Sequence, residues 1–354
     1  MKYPIRRCFR TIMGQILTEP LPHIPQIQTP AAIFGDCMTV LPLLPDQSID
    51  MILCDLPYHI TRNEWDSPLP LEDYILVDDQ RISFSELNQM LWAPGKRKLA
   101  GKTEALRNLF NMPMRDIVTF WETNKLPGLW SQYRRIIRLN GAIVLFGAGM
   151  FASELMRTGK DLWRYNLIWE KNHPTGFLNA NRRPLRSHEC ILVFYRKLPV
   201  YHPQKTSGHE RKVSTAYHKR NSKLSSNYGS YKPATYDSTE RYPTSIWRFP
   251  SDKEHGALHP TQKPVALCEA LIKTFTDDPY DEKESPRKVI VLDNCAGSFT
   301  TAVACDNLSR SWIAIEKNEE YFQAGIKRVN DNRMRLGIDD AGGITFFEPC
   351  QRVC

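Results

Sequence analysis

A chain of 354 residues, 42% apolar and 24% charged, can bury a sizeable core as one large α/β domain with insertions or as two modest domains. No apolar run reaches the length of a membrane span, and the basic start, with Tyr3-Pro4 and Arg6-Arg7, offers no signal-peptide core, so no membrane partner is expected. Nine scattered cysteines without a Cys-x-x-Cys pair fit reduced packing thiols rather than a disulfide frame or zinc site, and a formal charge of +8 permits a polyanionic partner without demanding one.

Residues 1–30 are proline-rich without periodicity, which predicts an N-terminal arm. Ile33-Phe34 leads through Gly35-Asp36-Cys37 into a helix reaching about residue 44, with Asp36 suited to cap it. The run 49–54, apolar except for Asp50, then reads as a buried strand ending in Asp55-Leu56-Pro57-Tyr58. Such a group suits a site gripping a planar, amino-bearing base. The Asp55 carboxylate can accept a hydrogen bond from an exocyclic NH2, and Pro57 removes a competing N–H. The Leu56 carbonyl can accept a second bond, and Tyr58 offers a ring face. The same residue types also end strands by default.

Arg62, just beyond, can reach a phosphate. Residues 72–125 include Trp92-Ala93-Pro94-Gly95-Lys96-Arg97-Lys98. Helical spacing resumes over 126–139, with Asn140-Gly141 as a C-cap signal, and buried strands follow over 142–146, 165–170 and 190–195. Between the last two stand His173-Pro174-Thr175-Gly176 and Asn181-Arg182-Arg183-Pro184-Leu185-Arg186-Ser187-His188-Glu189. Buried runs alternating with helices imply an open, mainly parallel α/β sheet covered on both faces.

From 198 to 255 apolar periodicity disappears. Lys205, Arg211, Lys212, Lys219, Arg220, Lys223, Lys232 and Arg241 interleave with Tyr201, Tyr217, Tyr228, Tyr231 and Tyr236. Lys and Arg hold phosphates and Arg reads base edges, whereas a solvated loop is the alternative. His259-Pro260-Thr261-Gln262-Lys263-Pro264 precedes a helix, with Thr261 a candidate cap and Pro264 suited to its first turn. A buried strand over 289–292 opens into Asp293-Asn294-Cys295-Ala296-Gly297-Ser298-Phe299-Thr300-Thr301, where small residues let the chain turn into a helix over about 300–308. A strand over 311–315 ends in Glu316, at the spacing from which an acid reaches ribose hydroxyls in nucleotide-binding α/β folds.

Together, Asp55-Leu56-Pro57-Tyr58, the 259–264 hexapeptide, the 293–301 turn and Glu316 resemble the β-class amino-methyltransferases of DNA. The likeness covers roughly 33–66, 126–197 and 258–329. It implies a circularly permuted, Rossmann-like fold: an open, mainly parallel, doubly wound sheet of seven strands with an inserted target-recognition region. It implies an N-terminal arm (1–30), a catalytic half (31–197, interrupted at 72–125), a recognition region (198–257), a cofactor half (258–335) and a C-terminal tail (336–354).

The function so implied is site-specific transfer of methyl from S-adenosylmethionine to adenine N6 in duplex DNA, by base flipping and direct in-line attack, without a metal. Asp55, Leu56, Pro57 and Tyr58 are the expected catalytic group. Asp36, Asp55, His259, Thr261, Lys263, Pro264, Asp293, Cys295, Ala296, Gly297, Ser298, Thr300 and Glu316 are the expected cofactor contacts, with Lys263 on the methionine carboxylate. Arg62, Lys205, Arg211, Lys212, Lys219, Arg220, Lys223 and Arg241 are the expected DNA contacts. A bacterial or phage-encoded cytoplasmic enzyme of restriction–modification type, dimeric as many relatives are, completes the expectation.

Two features depart from the family: the roughly 50 extra residues at 72–125, which read as an inserted lid or DNA-facing excursion, and Phe299 where glycine is usual, whose ring must point away from the cofactor or crowd it. Cytosine N4 is the competing target, since the same fold and geometry serve both amino groups; Asp at the first tetrapeptide position goes mostly with adenine in the family, whereas Ser is commoner for cytosine. A non-catalytic DNA-binding relative is a further alternative. Pro349-Cys350-Gln351 mimics a cytosine-C5 nucleophile motif, yet Cys350 stands four residues from the last, too late for that family's other segments.

Overall fold

A computed structural model describes residues 27–59, 66–92, 104–215, 235–251, 262–278, 288–338 and 343–347. In chain order the strands are β1 (Ala31–Phe34), β2 (Ile49–Cys54), β3 (Tyr74–Val77), β4 (Gln80–Ser83), β5 (Ile137–Gly147), β6 (Trp163–Thr175) and β7 (Arg186–Phe194). They continue as β8 (Lys212–Ser214), β9 (Tyr236–Ser238), β10 (Ile246–Arg248), β11 (Ile290–Asp293), β12 (Ser311–Glu316) and β13 (Thr345–Phe347). The helices are α1 (Cys37–Val40), α2 (Phe84–Trp92), α3 (Glu104–Asn111), α4 (Met114–Asn124), α5 (Leu129–Ile136), α6 (Gly149–Thr158), α7 (Val265–Phe275), α8 (Thr300–Asn307) and α9 (Glu319–Leu336).

The main sheet runs β10-β6-β7-β5-β2-β11-β12-β1-β13 and is parallel except for β7, which opposes both neighbours. Among the described residues it has nine strands rather than the expected seven, because the three-residue strands β10 and β13 extend its two edges. β10 comes from the expected recognition region and β13 from the expected tail.

Alternation along the strands builds two apolar layers. Met51, Leu53, Val291, Trp312 and Ala314 join one layer, closed by Leu271, Ala302 and Ile326 from α7, α8 and α9. Ile52, Cys54, Leu292, Ile313 and Ile315 join the other, closed by Val40, Tyr133 and Leu155 from α1, α5 and α6. Helices therefore cover both faces, which is why the central strands carry unbroken apolar runs. From the β2/β11 boundary the chain winds outward in opposite directions, toward β5 on one side and β12 on the other. Such a reversal opens a crevice beyond the strands' carboxyl ends.

The insertion is a small folded unit. β3 and β4 form an antiparallel hairpin, and α2, α3 and α4 pack on it through Ile75, Ile82, Leu87, Leu106, Leu109 and Trp121. It leaves and returns at one point, where Tyr74 and Leu126 exchange backbone hydrogen bonds of 3.0 and 2.7 Å. Gly128 permits that closure, since a Cβ there would stand 2.2 Å from the Glu72 carbonyl oxygen.

One element differs from the sequence reading. The helix expected over 126–139 ends at Ile136, and Asn140-Gly141 lies inside β5 instead of capping a helix. Ile137 is already extended, at φ −72° and ψ 137°, and β2 pairs alongside from that residue onward. Gly141 answers a close approach, not a left-handed turn: a Cβ there would meet the Asp50 carbonyl oxygen at 2.7 Å.

Candidate active site

β2 and β11 are parallel neighbours, Met51 opposite Val291 and Ile52 opposite Leu292. Their carboxyl ends therefore emerge side by side, bringing the 55–58 segment against the 293–301 turn. β12 and β1 come next in the sheet and deliver Glu316 and Asp36 to the same edge. Asp36, Asp55, Pro57, Tyr58, Lys263, Asp293, Gly297, Ser298, Thr300 and Glu316 all line one cavity of about 510 Å³. Leu56, Cys295 and Ala296 line it as well. Pro264 does not; it is the N-cap of α7, at φ −64° and ψ 133°.

Hydrogen bonds define the 293–301 turn. The Gly297 N–H donates to the Glu316 carboxylate at 2.8 Å, and the Asn318 N–H donates to its other oxygen at 2.8 Å. Asp293 accepts from the Cys295 N–H at 3.2 Å, and Tyr133 donates to the Asn294 side-chain oxygen at 2.5 Å. From α9, Arg328 donates to the Ser298 carbonyl and the Thr300 hydroxyl, both at 2.9 Å. Asp36 caps α1 by accepting from the Met38 N–H at 2.7 Å. Burial lifts Asp293 to about 6, against the Thr301 hydroxyl and the Cys295 N–H that oppose it. Burial likewise raises Glu316, against the Asn318 and Gly297 N–H groups.

Phe299 adopts the left-handed backbone expected of glycine, at φ 59° and ψ 32°. Its ring turns into the core, away from the cavity, where it lies edge-on to Phe322 (5.8 Å, 74°) and Trp312 (6.5 Å, 90°). Gly325 on α9 makes room: a Cβ there would stand 2.1 Å from the ring. The bulky side chain thus does not crowd the crevice.

Beside this turn lies a buried chain of charges that sequence reasoning missed. Lys263 donates to Asp55 Oδ2, stands 3.5 Å from Glu189, and Glu189 in turn accepts from Lys171. Lys263 also sits 5.0 Å from the Phe146 ring centroid. Lys263 is therefore engaged with Asp55 in this structure, where the resemblance had reserved it for the cofactor's carboxylate. Burial pushes the Asp55 carboxyl above its ordinary range, against the opposing pull of the Lys263 ammonium. Burial alone would raise Glu189 too, but Lys263 and Lys171 together hold it below the usual carboxylate value. Lys263 feels burial downward and its two carboxylate neighbours upward, and they carry it above the ordinary lysine value. Asp55 Oδ1, Tyr58 Oη and Glu189 Oε2 are buried without a hydrogen-bond partner among the described residues. The one local signal for Glu189 was an acid at the mouth of an apolar strand, which by itself points nowhere.

Tyr58 stacks on Phe151, with centroids 5.0 Å apart and planes 28° apart. Just after it His59 takes φ 54°, and its N–H donates to the buried Asp66 carboxylate at 2.7 Å. That bond ties the 55–58 segment to residue 66; Arg62, between them in sequence, lies outside the described residues.

Of the expected DNA contacts, Lys205 pairs with Glu240 at 2.9 Å and Arg211 grips Asp237 through two bonds of 2.8 and 2.7 Å. Arg241 donates to the carbonyls of Ser238 (3.1 Å) and Glu240 (2.8 Å) and to that of Glu210. Lys212 is exposed on β8. Lys219, Arg220, Lys223, His259, Thr261 and Pro349-Cys350-Gln351 lie outside the described residues.

Residues 116–327 match the family model described as DNA methylase. The chain is 24% identical over 301 residues to the DNA adenine methyltransferase YhdJ of Escherichia coli (strain K12), covering 84% of this chain and 82% of that protein. It is 22% identical over 315 residues to the Type II methyltransferase M.HinfI of Haemophilus influenzae, covering 84% of this chain and 67% of that protein. Among solved structures it is similar to the cytosine-N4-specific PvuII DNA methyltransferase, at 15% identity and a TM-score of 0.45 over 90% of this chain and 95% of that one.

Proposed function

The chain belongs to the DNA methylase family, and from that premise we propose that it methylates adenine N6 in duplex DNA after the base has left the stack. S-adenosylmethionine is the family's cofactor, and when bound it supplies an electrophilic methyl carbon on a sulfonium centre. The residues fit such a ligand. A cation bearing hydroxyl and amino donors suits a crevice lined by Asp36, Asp293 and Glu316, with the Ser298 and Thr300 hydroxyls beside them. Glu316 would accept from the ribose hydroxyls and Asp36 from the cofactor's adenine amino group. The 293–298 turn would lie along the methionine portion.

One observation carries the reading: Asp55 reaches this crevice with Oδ2 held by Lys263 and Oδ1 left without a hydrogen-bond partner among the described residues. A buried acceptor of that kind suits an amino donor. Asp55 Oδ1 and the Leu56 carbonyl would each accept one amino hydrogen, drawing the nitrogen lone pair out of conjugation with the ring. Lys263 opposes the effect of burial on Asp55 and so favours the ionised carboxylate, the stronger acceptor. Asp55 is also placed to take the proton that the alkylated amine sheds. Fixed geometry and stabilisation of the charge developing on nitrogen are the protein's contribution, with no covalent enzyme intermediate.

Adenine is favoured over cytosine by Asp55 at the first tetrapeptide position, and a relative named as a DNA adenine methyltransferase agrees with it. DNA treated with the protein and S-adenosylmethionine, digested to nucleosides and analysed by mass spectrometry, should contain N6-methyladenine. N4-methylcytosine would instead assign the other amino group. Asp55→Ala should abolish transfer and leave the fold intact. Wild-type protein that modifies no DNA would refute the enzymatic reading.

A further inference from the structure

Building on the reading of duplex DNA as substrate, we infer that the tip of the β6–β7 hairpin, residues 176–185, is a wedge that enters the duplex beside the target base. Phe177 and Leu178 take the stacking place that the extruded base gives up. β6 and β7 run beyond the sheet, with Glu170 opposite His188 and Thr175 opposite Arg186. His173, Pro174, Thr175 and Arg186, at the base of this tip, line the same crevice as Asp55. The tip therefore stands next to the place a flipped base must reach.

Its shape is preset. Gly176, at φ 93°, turns the chain into a 3-10 turn over Phe177–Asn179, closed by bonds of 2.9 Å from the Asn179 N–H to the Gly176 carbonyl and from the Ala180 N–H to the Phe177 carbonyl. That turn holds two large apolar side chains in solvent, Phe177 at 80% and Leu178 at 98% exposure. An adjacent apolar pair so exposed, on a finger whose other exposed large apolar side chain is Leu185, marks a contact surface. The charge around it names the partner. Between Asn172 and His188 the chain carries three arginines, two histidines and no acidic residue. Arg182, Arg183 and Arg186 make no ion pair among the described residues, unlike Lys205 and Arg211. Arginines flanking an apolar tip fit a polyanion with a stacked apolar interior, where side chains of this kind insert between base steps.

The test uses the full chain with Phe177→Ala and Leu178→Ala combined, both sites being exposed enough to spare the fold. Methyl transfer from S-adenosylmethionine is measured on unmethylated plasmid DNA, native and heat-denatured. The double variant should lose at least about tenfold in rate on native DNA and under about twofold on denatured DNA, where no base needs extracting. No loss on native DNA, or equal loss on both, overturns the wedge. A second readout is independent of turnover. Nicked plasmid religated under bound wild-type protein should be unwound relative to free DNA, and the double variant should bind the plasmid equally without unwinding it. Equal unwinding by both proteins, or none by the wild type, overturns the inference. Wild type inactive on both DNAs refutes the proposed function itself, a result distinct from an active enzyme with a dispensable tip.

Discussion

Gly325→Ala isolates the packing that lets Phe299 occupy a glycine position. In an ordinary helix interior this change stabilises by about 1 kcal/mol. Here the new methyl would sit 2.1 Å from one ring carbon of Phe299 and 2.7 Å from two more. The ring is fully buried against Trp312 and Phe322 and has nowhere to retreat. Overpacking of that kind costs roughly 1–3 kcal/mol. A clash this deep belongs at the upper end, so the net effect should be destabilisation by about 2 kcal/mol. Phe299→Gly alone should cost roughly 2–3 kcal/mol, the loss of a buried ring less the relief of about 1–2 kcal/mol of left-handed strain. With Phe299 gone, Gly325→Ala should revert to a gain of up to about 1 kcal/mol, giving a coupling near 3 kcal/mol. Urea unfolding of the four proteins measures the cycle. Calorimetry on the same set should find S-adenosylmethionine affinity within about threefold for Phe299→Gly, since the ring faces the core. Additivity within about 0.5 kcal/mol would refute the reasoning.

Glu189→Gln should move the acid limb of the pH–kcat/KM profile to lower pH. Glu189 raises the Asp55 pKa and competes for Lys263, so its removal favours ionised Asp55 on both counts; an unmoved limb would exclude the coupling. Asp293→Asn should weaken cofactor binding yet stabilise the protein by up to ~3 kcal/mol at pH 7.5. Burial lifts Asp293 to about 6, so its ionised form costs stability above that pH, and the cost vanishes as pH falls below the unfolded value. The gain in urea melts should therefore disappear by about pH 4. Arg211→Ala breaks an exposed pair with Asp237 and should leave the urea midpoint essentially unchanged. Should Arg211 also touch phosphate, the salt slope of DNA binding should fall by about one.

The places of Asp36, Asp55, the 293–301 turn and Glu316 at strand ends were legible in the sequence. A buried strand announces itself by a run of apolar residues, and its end by the first polar or small ones. Parallel order then sends all four to one edge, so recognising the strands nearly sufficed to assemble the crevice. The break between helix and strand at Ile137 was harder, because 126–139 carries helical spacing while its last residues answer to pairing with β2. The edge strands β10 and β13, three residues each, are too short for any periodicity.

Local sequence thus determined which segments are buried, where they stop and which chemical groups stand at their ends. Only the tertiary structure decided that Lys263 meets Asp55 across 208 residues, that Glu189 joins them, and that Phe299 turns toward Gly325. The physical reason is range. Periodicity records a segment's own choice between water and core, whereas the partner of a buried charge or the hollow that admits a ring belongs to another segment, brought near only when the sheet closes.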